Sequence, residues 1–137
     1  MRWQQRFLTT FAVLALAATP ALADDLTGST SFLCNIGQAT ACLEMSECFS
    51  FAPQDFDIPN FILVDLDGKV LSTTKASGLN RTTPIKNLER VDGKIILQGV
   101  QNARAFSVMI HETSGLLTAA VARDGVGVSI FGACTPN

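Results

Sequence analysis

The chain has 137 residues, 10 Lys and Arg against 12 Asp and Glu, a net charge of −2 and one histidine. That length bounds it to one domain, large enough to bury about two-thirds of the surface its unfolded chain exposes. The few bases, with no aromatic residues interleaved among them, exclude a nucleic-acid-binding surface.

The first predicted element is an export signal over residues 1–23. Arg2 and Arg6 form a positive n-region, residues 7–18 an apolar run, and Ala21-Leu22-Ala23 a small-x-small cleavage site ahead of Asp24. The run is too short for a span of about 20 residues, and Pro20 interrupts it. No cysteine follows it directly and no arginine pair precedes it, so neither a lipid anchor nor twin-arginine export is expected. The reading is a cleaved signal peptide, 1–23, ahead of a single β domain, 24–137. It places the protein in the periplasm or outside the cell, with no later membrane span. Cleavage removes Trp3, the only tryptophan.

Such a compartment oxidises cysteines. The four present, Cys34, Cys42, Cys48 and Cys134, read as two disulfides. The pairing favoured here is Cys34–Cys134 with Cys42–Cys48, and two other pairings stay open. The spacings lack the close C-x-x-C pairs of a zinc site. Charge is segregated along the chain. Asp24 to Asp67 holds eight acids and no base, whereas Lys69 onward holds eight bases and four acids. This describes either two solvated faces or a dipolar surface that steers a charged partner.

In chain order, residues 39–43 read as a short strand and residues 42–48 as a weak helical segment. Residues 50–59, rich in Phe, Pro and Asp, read as an irregular wrap over the sheet. Strand-sized runs follow at 60–66, 69–74, 85–91, 94–100, 104–111, 116–122 and 126–134. Asp67-Gly68, Asp92-Gly93 and Asp124-Gly125 separate apolar runs and predict type I′ hairpins; Ser114-Gly115 does the same work. Asn102-Ala103 is expected to form a looser turn. Phe106, Val108 and Ile110 alternate with Ala105, Ser107 and Met109, a period of two that argues strand. The expected fold is all-β: an antiparallel meander of about 7–8 strands, curled into a barrel or barrel-like sheet and stapled by disulfides.

Candidate chemistry is sparse. His111 has Glu112, Ser107 and Ser114 nearby in sequence. Strand alternation sends neighbouring side chains to opposite faces, so Glu112 is badly placed to orient the ring. Asp65-x-Asp67-Gly68 resembles the opening of a calcium loop but lacks the glycine and glutamate such a loop needs further on; a turn is the simpler reading. Asp55 and Asp57 flank Phe56 in a loop with no rigid support for acid–base work. The Phe residues of 24–137, without Tyr or Trp, read as core. The polar linker 73–83 carries Lys75, Asn80 and Arg81 between strands, and these are the candidate binding residues. Asn80-Arg81-Thr82 also fits a glycosylation acceptor, which means nothing in a bacterial periplasm.

Leu71-Ser72-Thr73-Thr74-Lys75, Arg81-Thr82-Thr83-Pro84-Ile85-Lys86, Leu97-Gln98-Gly99-Val100 and Phe131-Gly132-Ala133-Cys134-Thr135 together resemble a group of small exported proteins of Gram-negative bacteria, over most of residues 24–137. The resemblance implies a periplasmic address and brings no activity with it. In architecture the chain is also similar to small disulfide-bearing periplasmic barrels that inhibit lysozymes or proteases. It carries none of their inhibitory motifs, so this likeness is one of fold alone. The functional expectation is a binding module that engages a protein partner, an inhibitor being one form of it. The alternative is a carrier with a pocket for a small apolar ligand inside the barrel. Catalysis, cofactor and metal are not expected. A filled interior favours the partner; an open cavity of several hundred cubic ångströms favours the carrier.

Overall fold

In a computed structural model of the chain, residues 24–137 are described; the expected signal peptide lies outside them. Ten strands carry the fold: β1 (Ser31–Leu43), β2 (Cys48–Phe51), β3 (Phe61–Asp65), β4 (Val70–Thr73), β5 (Thr82–Pro84), β6 (Asn87–Val91), β7 (Lys94–Gln101), β8 (Arg104–His111), β9 (Leu116–Arg123) and β10 (Val126–Pro136). Two single 3₁₀ turns, Pro53–Phe56 and Lys75–Ser77, are the remaining regular elements among the described residues. The helical reading of 42–48 is therefore overturned: those residues form the hairpin between β1 and β2. The end of the polar linker is likewise a strand, β5, with Thr82 and Thr83 paired to Ser72 and Leu71.

The strands form one curled antiparallel half-barrel, in the order β5-β4-β3-β1-β10-β9-β8-β7-β6, with β2 added to the upper part of β1. The expected meander holds in two runs, β3 to β5 and β6 to β10. The first strand lies in the middle of the sheet, between β3 and β10. The physical reason is the length of β1. Its 13 residues pair along one edge with β10, from Phe32–Pro136 to Leu43–Val126, and along the other with both β3 and β2. The terminal strand β5 also approaches β7, next to the end of β6. The Gln101 amide donates to the Thr82 carbonyl at 3.0 Å, Thr83 bonds Gln101, and the Lys86 N–H donates to the Gln98 carbonyl at 2.8 Å.

Alternation builds the core. On β7, Ile95 and Leu97 are buried between half-exposed or exposed neighbours, and on β10 Val128, Ile130 and Cys134 point the same way. On β1 the alternation slips. Phe32, Cys34 and Ile36 are buried, then Ala39 and Ala41, so the parity changes across Gly37. The pairing register shifts between Ile36 and Gln38, which is a β-bulge and restores the inward face. Beside the bulge the strands crowd: a Cβ on Gly132 would collide with the Asn35 carbonyl oxygen, so only glycine fits there.

One end of the barrel is plugged. Leu26 is fully buried, its N–H donating to the Glu112 carbonyl at 2.7 Å. Arg90 clasps this plug, with Nε on Glu112 at 2.8 Å and Nη2 on the Ser29 carbonyl at 2.8 Å. Phe32, Val64, Leu66, Ile85, Ile95 and Ile110 belong to the same buried core as Leu26. Each such side chain contributes about 1.5–3 kcal/mol by leaving water.

Both disulfides join directly opposed residues. Cys34–Cys134 bridges β1 to β10 in the core, and Cys42–Cys48 closes the β1–β2 hairpin at the surface. The favoured pairing is thus the observed one. Of the turns, Asp92-Gly93 is the expected type I′, with φ of 51° and 70°. At Asp67-Gly68 the positive φ belongs instead to Lys69, and at Asp124-Gly125 to Gly125 alone. Asn102-Ala103, expected to be loose, is a tight two-residue turn with φ of 50° and 58°, flanked by the Gln101–Arg104 pair.

Candidate functional site

The plug fills only half of the barrel. Towards the other end the inward side chains shrink or stand apart, and a cavity of about 190 Å³ remains. Its walls are apolar: Ile36 of β1, Ile62 of β3, Leu71 of β4, Phe106 and Val108 of β8, Leu117, Ala119 and Val121 of β9, and Ile130 of β10. Alternation puts them on one face, and the curl of the sheet points that face at itself. Phe106 crosses to the neighbouring strand, its ring occupying the space a Cβ on Gly99 would need. Ala119, sitting opposite larger neighbours, leaves volume unfilled. An apolar lining of this kind gives an apolar guest surface to bury against.

The mouth is polar. Thr73, Thr83, Gln101 and Asn102 line it together with Asp57, Arg81 and Arg104. Asp57 ends the 3₁₀ turn Pro53–Phe56 in the left-handed region, with φ of 60°. That bend turns its carboxylate towards the rim. Arg81 reaches it with both arms of its guanidinium: Nη2 to Oδ1 at 2.8 Å and Nη1 to Oδ2 at 3.0 Å. Nη1 also donates to the Asp57 carbonyl at 3.1 Å. Arg81 is itself held by β4, its N–H donating to the Thr73 hydroxyl at 3.0 Å. Arg104, at the start of β8, approaches the same carboxylate only to 3.9 Å. Two guanidiniums therefore share one carboxylate, and the mouth carries a net positive charge. All three side chains are at least a third exposed, so the ion pairs stabilise the fold by about 0.2–1 kcal/mol each.

Of the expected binding residues, only Arg81 lies at this mouth. Lys75 and Asn80 are exposed on the same loop and line no part of the cavity. Lys75 opens the second 3₁₀ turn, and Asn80 sits at φ of 49°. On the other side of the Asp57–Arg81 pair a second groove, of about 450 Å³, runs between the two 3₁₀ turns, past Phe61, Thr74 and Leu79. The ion pair is the partition between groove and cavity, because both residues line both spaces.

The other sequence candidates separate in space. His111 Nδ1 faces the Thr113 hydroxyl at 3.2 Å, while Glu112 is committed to Arg90. Asp65 accepts the Gly68 N–H at 2.9 Å, a local turn bond. Among the described residues no group of three His, Cys, Asp or Glu could hold a metal ion. The phenylalanines are less uniform than a core reading implies. Phe32 is fully buried, but Phe49, Phe61 and Phe131 are exposed. Phe51 and Phe56 stack at 4.2 Å and fasten the first 3₁₀ turn to the sheet.

Sequence reasoning missed Arg104, Gln101 and the cavity walls as a site. Asp57 was weighed only as a partner of Asp55, although its rim partner lies 24 residues away. The one available signal for Arg104 was its place directly after a turn, at a strand end. Comparison with family models, curated proteins and solved structures yields no match.

Proposed function

We propose that this protein is an exported binding module that carries a small, largely apolar ligand inside its half-barrel. The observation that carries this reading is the apolar cavity of about 190 Å³ behind a polar mouth. The interior is not filled, yet at about 190 Å³ it is smaller than the several hundred cubic ångströms set out above for a carrier, which restricts the reading to a small ligand. The volume lies below the roughly 300–1,000 Å³ of drug-sized sites and just above the ~150 Å³ that accommodates benzene. It suits a ligand of about six to eight non-hydrogen atoms. Two disulfides are compatible with an oxidising compartment, and they support export to the periplasm or beyond.

The test is a titration with 1-hexanol, read by calorimetry and by amide chemical shifts. Shifts centred on the wall residues of β1, β3, β4, β8, β9 and β10 are expected, with the sealed end around Leu26 unmoved. Ala119→Leu, which extends a buried side chain into the cavity, should weaken binding at least tenfold with the melting temperature kept. Equal affinity in that variant contradicts the cavity as the site.

The partner reading keeps one specific observation: the groove beside Leu79 and Phe61, both over two-fifths exposed and bordered by the Lys75–Ser77 turn. Periplasmic extract passed over the immobilised protein tests it. A protein retained by the parent and lost by Lys75→Glu supports a docking surface on the loop; equal retention counts against it.

A further inference from the structure

We propose that the cavity takes a small amphipathic acid, with Arg81 and Arg104 receiving its carboxylate and Asp57 acting as a built-in stand-in for that group. This rests on the ligand-carrier reading and adds the chemical class of the ligand. The argument starts from an imbalance. Arg81 spends its planar fork on Asp57 in the bidentate geometry a ligand carboxylate would use. Arg104 does not: among the described residues its guanidinium makes no hydrogen bond, and its nearest carboxylate oxygen is 3.9 Å away. Asp57 bonds one guanidinium and leaves the other without a close acceptor, so a carboxylate seated between the two arginines would satisfy donors that Asp57 does not.

The walls decide what is attached to that carboxylate. Behind the two arginines come Thr83 and Gln101, already bonded to each other and to β5. Beyond them the lining is mainly hydrocarbon, from Phe106, Val108, Val121 and Ile130, with Ser72 and Thr73 on the β4 side. A phosphate or sulfate would satisfy the rim but leave this space empty. A hydrocarbon would fill the space but leave Arg104 without a close acceptor. A carboxylate on a short apolar body does both, with its head at Arg104 and its tail towards Leu117.

Asp57 supplies the release step. It is more than three-fifths exposed and lies at the end of a one-turn element, so it can swing into water at small cost. An incoming acid displaces it from Arg81 and opens the partition between groove and cavity. A departing one is replaced by it. Every exchange swaps one carboxylate for another, and the arginines are never stripped of a partner.

The test compares hexanoate with 1-hexanol at neutral pH in the folded protein, reading the ratio of their affinities by calorimetry. The parent should prefer hexanoate by about fivefold or more. Arg104→Gln should bring the ratio close to one. Asp57→Asn, which removes the internal competitor while keeping its shape, should raise it several-fold. Circular dichroism and melting curves check that each variant folds. A parent that binds the alcohol as well as the acid, or an unchanged ratio in Arg104→Gln, overturns the carboxylate site and leaves the cavity reading standing. A parent that binds neither overturns both.

Discussion

At the scale of single residues, the backbone states its demands most clearly in the turns. Asp92-Gly93 obeys the I′ rule, and Gly93→Val should destabilise, because a β-branched residue resists φ of 70°. A fall of several degrees in melting temperature is expected. Asn102-Ala103 breaks the rule, since Ala103 holds φ of 58° without being glycine. Left-handed backbone costs an L-residue about 1–2 kcal/mol, and part of that returns on substitution by glycine. Ala103→Gly should therefore raise the melting temperature, with a gain of about 0.5–1 kcal/mol in urea titration. Gly132 is the opposite case. Its Cβ would strike the Asn35 backbone, so Gly132→Ala should cost about 1–3 kcal/mol by overpacking.

At the scale of elements, the strands after residue 60 were legible because alternation and turn chemistry agreed. Arg104–His111 was read to the residue, and Lys94–Gln101 to within one residue. What was not legible is instructive. β1 hid because its bulge at Gly37 breaks the period of two that identifies a strand, leaving only its second half visible. β5 hid because three residues, Thr82–Pro84, carry no periodicity at all. The central place of β1 hid because strand order depends on pairing between residues about a hundred positions apart, which local pattern does not encode. The Cys34–Cys134 bridge was the one long-range clue, and it spans that pairing with a separation of 100 residues. The two bridges should differ in worth. On chain-entropy grounds the long one stabilises by up to about 4.7 kcal/mol and the short one, closing Cys42–Cys48, by about 2 kcal/mol. Urea titrations of Cys34→Ala/Cys134→Ala and Cys42→Ala/Cys48→Ala should show that order. A larger loss from the hairpin pair would contradict it.

At the scale of the whole molecule, the barrel is asymmetric along its axis, and function follows from the asymmetry. One end is sealed by the buried Leu26 and the Arg90–Glu112 clasp. The other end trades packing for a hollow with mainly apolar walls and its charged groups at the rim. The sequence shows both ingredients, the apolar alternation and the loop arginine. It does not show that they meet, because the meeting depends on curl. Arg81 becomes a site residue only when β5 folds back against β7 and the 3₁₀ turn at residues 53–56 presents Asp57 to it. Cutting the clasp with Glu112→Ala should loosen the sealed end and cost stability, and the ligand preference set by the far rim should persist. A lost preference with intact secondary structure would tie the two ends together.

The most direct measurement is a crystal structure of residues 24–137 under xenon pressure. A polarisable apolar atom reports a dry, reachable cavity without assuming anything about the ligand. Xenon density between Phe106, Val121 and Ile130, with the surrounding strands unmoved, is the predicted result. Closed packing at those side chains, with xenon absent or confined to the outer groove near Leu79, would contradict the carrier.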